Sequence, residues 1–381
     1  MTETGIPPTG HSTREPGMVK QHAAVLLAAA AIVLVACSSA APPAGSGRPP
    51  GTVGGPSAAT SGCVVGVSWA DLTGRWAMWD EPAVKKALDE AGATYISNDA
   101  KGSAEMQATN VESLISKGAK VLIINAQGSG TAPSVASATR LGIPVIAYDR
   151  LIDDPKALYI TFDNVEVGRM QARALLKVAP KGNYMFIKGD KGDANADFLR
   201  AGQDEVLAAA IKSGGIKNVG ETYTTNWDRG LAQTETEQFL AANGTKVDAV
   251  LSENDSMAGG VIAALAAHGL VGKAAVSGQD GDEDALNEVA VGRQTVDVWK
   301  DGRILGKTAG EAAIQLCAGA TVDQISGTAD FTTPAGNSVR SILLKPIPVT
   351  KDNLNVVLDA GWIAKGSLCH GVAAGSVAAC P

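Results

Sequence analysis

Charge is scarce in this 381-residue chain: Asp, Glu, Lys and Arg make up 19% of it, and the formal balance is -7. No basic stripe of the kind that neutralises phosphates runs through it, which argues against a nucleic-acid partner. Aromatics are scarcer still at 4%, five Phe and five Tyr beside six Trp, so each tryptophan placed in a pocket is a sizeable part of the supply. The four histidines, His11, His22, His268 and His370, are scattered, and with no CxxC and no Cys/His cluster they offer no metal site. No phosphate-binding loop or GxGxxG follows a strand signal, and nothing resembles a nucleophile with its base, so neither a cofactor nor an enzyme is expected. Asp280-Gly281-Asp282-Glu283-Asp284 begins like a calcium loop, but Ala285 and Val291 stand where its glycine and bidentate glutamate belong.

Long hydrophobic runs are also missing, with one short exception. HAAVLLAAAAIVLVA, ending at Ala36, has the length of a secretory h-region and is too short to span a bilayer comfortably. Leu34-Val35-Ala36-Cys37 resembles a bacterial lipobox, which predicts a signal peptide over 1–36, starting at Met1 or Met18, and a lipidated Cys37. The Ser-, Pro- and Gly-rich stretch of 37–61 cannot bury enough area to offset the entropy of ordering it and reads as a flexible tether. Of five cysteines, four remain beyond Cys37, and an exported chain makes pairing the default. Four thiols allow three pairings or free buried thiols; the local choice, Cys369 with Cys380, leaves Cys63 with Cys317.

From Cys63 about 320 residues follow, enough for two lobes with a core each. Short β-branched runs alternate with amphipathic stretches along them. Strands are expected at about 63–69, 94–97, 121–125, 143–148, 159–162, 184–188, 218–221, 248–252 and 274–277. Helices are expected at about 81–91, where Asp80 can cap and Pro82 sits in the first turn, and at 103–117, 132–141, 165–178, 196–212, 229–242, 256–267 and 283–291. Val121-Leu122-Ile123-Ile124 is apolar throughout, as in a parallel sheet covered on both faces. The class is therefore α/β, with two doubly wound parallel-sheet lobes. Such sheets bind ligands beyond the carboxyl ends of their strands, and the residues there are unusually polar: Arg75-Trp76, Asp149-Arg150, Asp193 to Asn195, Asn254-Asp255, Gln279-Asp280 and Lys300.

Seven segments in order, GRW at 74–76, AYDR at 147–150, TFDNVEVG at 161–168, DANADFLRAGQ at 193–203, the stretch Glu253 to Gly260, SGQD at 277–280 and VWK at 298–300, make the chain from Cys63 to about Thr350 resemble the D-xylose-binding proteins of bacterial ABC importers, within the ribose and galactose group of periplasmic-type binding proteins. The resemblance implies a type I periplasmic binding protein fold, with lobes of 62–162 plus 298–326 and 163–297 plus 340–381 joined by a three-strand hinge. The crossings would lie near 162–164, near 296–298 and after the helix ending near Cys317, with Ile342 to Val349 returning to the second lobe. It implies a monomeric receptor that delivers a pentose to a permease driven by a separate ATPase, and the lipidated Cys37 expected from the motif at 34–37 would anchor it at the outer face of the cytoplasmic membrane. A pentitol or other monosaccharide as ligand, or a sugar-sensing receptor for a membrane signalling protein, are the alternatives.

A pyranose presents hydroxyls that both donate and accept, flanked by apolar faces. Carboxylates, amides and guanidinium groups meet the hydroxyls, and indole rings cover the faces. Carried over residue by residue, the resemblance puts Arg75, Trp76, Asp149 and Arg150 on the first lobe's wall and Asn195, Arg200, Trp227, Asn254 and Asp280 on the second's, with Lys300 at a crossing. Trp76 and Trp227 would stack on the sugar. Asp255 is expected to cap the following helix while Asn254 points at the ligand, and Trp69, Trp79, Trp299 and Trp362 are expected to pack or form the rim. DANAD has alanine where the family often has another amide, which removes one hydroxyl contact.

Overall fold

The computed structural model describes residues 62–381. The leader of 1–36, the tether of 37–61 and Cys37 lie outside the described residues. The first half alternates β1 (Val64–Trp69), α1 (Glu81–Glu90), β2 (Thr94–Asp99), α2 (Ala104–Ser116), β3 (Val121–Ile124), α3 (Ala132–Arg140), β4 (Val145–Tyr148) and β5 (Ala157–Phe162). The second half repeats the rhythm with α4 (Asn164–Val178), β6 (Gly182–Lys188), α5 (Ala194–Lys212), β7 (Ile216–Tyr223), α6 (Arg229–Ala242), β8 (Ala249–Ser252), α7 (Asp255–Ala267), β9 (Ala275–Asp280), α8 (Glu283–Val291) and β10 (Val296–Trp299). Then come α9 (Gly302–Cys317), β11 (Ala329–Thr332), β12 (Ser338–Leu344), β13 (Ile347–Val349), α10 (Asn355–Asp359) and α11 (Lys365–Leu368).

Two sheets result. The first has the order β11-β12-β5-β4-β3-β1-β2 and the second β13-β10-β9-β8-β6-β7, each parallel except for one antiparallel edge, β11 and β13 respectively. β3 and β4 are buried along their whole length, which their unbroken apolar sequences require. Each sheet is covered on both faces. α1 and α9 close one face of the first sheet with Val84, Leu88, Leu305 and Ala309, while α2 supplies Val111 and Leu114 to the other. In the second lobe, Leu175 of α4 and Leu199 of α5 cover one face, and Leu240 of α6 and Val261 of α7 the other.

The chain passes between the sheets three times, after Phe162, after Trp299 and between Leu344 and Ile347. This corrects two expected boundaries. Residues 340–344 belong to the first lobe, because β12 runs parallel to β5 from Arg340 opposite Leu158 to Leu344 opposite Phe162. The third crossing therefore comes after this strand and not after the helix ending at Cys317. Residues 298–299 belong to the second lobe, since Val298 and Trp299 pair with Gln279 and Asp280. Cys63 is bonded to Cys317, joining the start of β1 to the end of α9, and Cys369 is bonded to Cys380 in the C-terminal segment.

Candidate functional site

The carboxyl ends of the two sheets face each other across a cavity of about 450 Å³, within the range of small-molecule sites. The parallel βα units, the β5–α4 unit excepted, contribute to it through the residues at or after the ends of their strands. From the first lobe come Arg75 and Trp76 after β1, Lys101 after β2, Gln127 after β3, and Asp149 and Arg150 after β4. From the second come Asn195 after β6, Asn226 and Trp227 after β7, Asn254 after β8, and Asp280 at the end of β9. Lys300 enters from the second crossing.

Arg75 is the organising cation. Its Nε lies 3.2 Å from Asp80 Oδ2, its Nη2 3.2 Å from Asp149 Oδ1, and its Nη1 3.4 Å from Asp280 Oδ1 across the cleft. Burial works against its charge, but these three carboxylates outweigh that and hold its pKa above the ordinary value. Asp80 was expected to cap α1 and does not. A π-helical turn, Trp76–Asp80, runs straight into α1, so Asp80 has helical backbone angles and turns its carboxylate inward. There it accepts the Tyr148 hydroxyl at 2.6 Å, and burial pushes its carboxyl up to about 7 against the pull of Arg75. Asp149 is held below the usual carboxylate range: burial opposes its charge, but Arg75, Lys300 and Arg150 together prevail. Lys300 is 1% exposed and forms no hydrogen bond or ion pair among the described residues. Burial lowers its pKa, with Asp149 and Asp280 pulling the other way.

Backbone strain is concentrated at this cleft. Of six non-glycine residues with positive φ among the described residues, five line it: Lys101, Asp149, Asn226, Trp227 and Asp280. Conformations of that kind persist only where the surroundings over-determine them, which is the usual condition of a binding site. Trp227, 7% exposed, shows how it is done. Its ring rests directly on the backbone of Gly189, where a Cβ would come within 2.1 Å of Cζ2, and its Nε1 is buried with no hydrogen-bond partner among the described residues. The other stacking candidate, Trp76, is half-buried, with the Arg150 guanidinium 4.8 Å from its ring centroid.

Other bonds join the lobes around the cavity. Arg150 Nε lies 3.0 Å from Asp193 Oδ2, and Gln127 Nε2 donates to Asn226 Oδ1 at 3.0 Å. Asn195 Nδ2 donates to the Asp149 carbonyl at 3.1 Å. Asn195 Oδ1 accepts from Asn164 Nδ2 at 2.9 Å and from the Tyr159 hydroxyl at 3.3 Å. The Asn195 amide is thus engaged by the protein on both sides, although the residue lines the cavity.

Nine of the ten expected ligand residues line the cleft. Arg200 is the exception: it pairs with Asp204 and Glu221 and lies over the Phe186 ring, 4.0 Å from its centroid. The cap of α7 falls to Asn254 and not to Asp255, although Asn254 still lines the cavity and Asp255 does not. Asn254 Oδ1 caps α7 by accepting from Met257 N at 2.9 Å, while Asp255 is turned inward to the backbone NH groups of Gly281 and Asp282, both at 3.0 Å. Asp80, Lys101, Gln127 and Asn226 were not anticipated. Lys101 and Gln127 follow β2 and β3, so the strand-end rule could have found them. Among the described residues no cluster of His, Cys, Asp or Glu is disposed to hold a metal ion, and no helix is long and apolar enough to cross a membrane.

Residues 65–321 match the model of the periplasmic binding protein domain. The chain is 41% identical to the D-xylose-binding periplasmic protein of Escherichia coli (strain K12) over 298 residues, covering 77% of this chain and 88% of that one. It is 38% identical to the D-xylose-binding periplasmic protein of Haemophilus influenzae over 323 residues, covering 84% and 96%. Among solved structures, an ABC transporter solute binding protein from Clostridium phytofermentans with bound β-D-glucose superposes with a TM-score of 0.73 at 30% identity, covering 80% of this chain and 99% of that one.

Proposed function

The chain belongs to the periplasmic binding protein family, and from that premise we propose that it captures a pentose, D-xylose foremost, between its lobes and delivers it to an ABC permease driven by a separate ATPase. The observation that carries this reading is the convergence of hydroxyl-binding groups from both lobes on one cavity, with donors and acceptors interleaved: Arg75, Arg150 and Lys300 beside Asp149 and Asp280. Each sugar hydroxyl can accept from a cation and donate to a carboxylate, and charged hydrogen bonds of this kind are the stronger ones. Trp76 and Trp227 are the rings available for the apolar faces of a sugar. Because the groups come from both lobes, a sugar meets all of them only when the cleft is closed, so its differential affinity draws the population to the closed form.

A thermal-shift panel of D-xylose, other pentoses, D-glucose and xylitol tests the assignment. The reading predicts the largest upward shift with D-xylose. The glucose bound in the Clostridium structure favours a second reading, a hexose as ligand, and a larger shift with D-glucose would select it. A panel with no shift for any sugar or pentitol would sink both. The further proposal that Cys37 is lipidated rests on the Leu34 to Cys37 motif and the apolar run before it.

A further inference from the structure

We infer that the C-terminal segment from Ile347 to Pro381 is part of the binding machinery: through Trp362 it positions Asp280 in the cleft and latches the first lobe onto the second. The inference rests on the sugar-binding reading above and extends it to a part of the chain that lines no part of the cavity.

The segment is held firmly to the second lobe. Val357, Ile363, Leu368 and Val377 pack with Leu286 and Val289 of α8. Asn287 Nδ2 donates to the carbonyls of Leu368 at 2.9 Å and His370 at 2.8 Å, and the bond between Cys369 and Cys380 closes the end. This framework fixes Trp362, which is 1% exposed. Its Nε1 donates to the Gly281 carbonyl at 2.6 Å. The Gly281 NH donates to Asp255 Oδ2 at 3.0 Å and Asp297 Oδ1 at 3.2 Å. The residue after Asp280 is therefore gripped through both its NH and its carbonyl, and Asp280 is held at φ 108°. Gly281 has to be glycine here: at φ 88° a Cβ would lie 2.4 Å from Trp299 Cδ1. Trp299 in turn meets Trp362 edge to face, with centroids 5.4 Å apart.

The first lobe docks on this framework. Trp79 stacks on Trp362 with centroids 4.5 Å apart and planes at 23°. Arg303, at the start of α9, has its guanidinium 5.4 Å from the Trp79 centroid and 5.2 Å from that of Trp362, and its Nη1 donates to the Ala360 carbonyl at 2.9 Å. Trp79 belongs to the same π-helical turn as Trp76 and Asp80, next to Arg75. One rigid turn thus carries Arg75 to Asp280 and Trp79 to Trp362, so the cleft contact and the tryptophan stack form together.

Trp79→Ala and Trp362→Phe separate the two roles. The first removes the stack without touching Asp280; the second keeps an aromatic face and removes the donor to Gly281. For each, the Kd for D-xylose, the off-rate, the melting temperature and the ligand-free X-ray scattering are compared with the wild-type full chain. Trp79→Ala is expected to raise Kd about 3- to 10-fold through a faster off-rate, and to enlarge the ligand-free radius of gyration. Trp79→Phe is expected to restore most of the loss. Trp362→Phe is expected to raise Kd without enlarging the ligand-free form. Wild-type Kd in both variants would overturn the inference; if Trp362→Phe fails to fold, Trp79→Ala decides alone. A wild-type chain that binds no sugar or pentitol would instead defeat the functional reading.

Discussion

Lys300 brings an ammonium to the cavity wall at 1% exposure, where burial works against its charge and Asp149 and Asp280 pull the other way, and a ligand hydroxyl there would accept from it. Lys300→Met should therefore weaken sugar binding by about 1.5–3 kcal/mol, roughly 10- to 160-fold, while leaving the melting temperature equal or higher. Calorimetric titration and thermal unfolding of the same samples check both halves, and unchanged affinity would remove Lys300 from the site. Asp80 makes a pH-dependent prediction. Its folded pKa of about 7 lies above its ordinary value of 3.8, so between those limits the folded protein keeps a proton that the unfolded chain loses. This group's contribution to stability therefore falls as pH rises through that window. Asp80→Asn should reduce the decline in urea midpoint between pH 5 and 8, but not abolish it, because burial also raises Asp282, to about 6, with the same sign. An unaltered pH profile would contradict the assignment. Lys300 was legible as a polar residue just after a strand, though its burial was not, whereas Asp80 looks like an ordinary helix cap.

At the level of elements, legibility followed hydrophobic continuity. β3 and β4 were readable because a strand buried on both faces needs an unbroken apolar run. The β11–β12 hairpin was not, because β11 is an exposed edge strand, β12 carries no unbroken buried run, and its turn, Thr333 to Asn337, reads as a polar loop. That omission displaced the third crossing. Arg200 failed for a different reason, and periodicity would have caught it. Asn195 and Arg200 are five residues apart on α5, about 140° around the helix, so they cannot both point into one cleft. Arg200→Ala should accordingly leave the sugar Kd within about twofold of wild type, since its partners Asp204 and Glu221 lie outside the cleft. A severe loss of affinity on titration would return Arg200 to the site. Which of Asn254 and Asp255 caps α7 was beyond sequence reasoning, as both residue types cap well.

On the scale of the whole molecule, strained backbone, paired charges and tryptophans gather at the contact between two lobes whose own cores are continuous and apolar. Stability is supplied by the sheets and their helices, leaving the cleft to be specialised for ligand. The proposed lipid at Cys37 belongs to this scale as well. The roughly 25 residues from Cys37 to the first described residue, Gly62, would let a receptor move between capture and docking while staying near its permease. Cys37→Ser should leave sugar affinity intact and release the protein from the membrane fraction; retention of the variant there would count against lipidation. The central claim is that the two lobes close on a pentose, and calorimetric titration of the purified protein with D-xylose tests it most directly. The account predicts saturable binding at one site per chain, tighter for D-xylose than for D-glucose or xylitol. Absence of saturable heat with any of the three would contradict it.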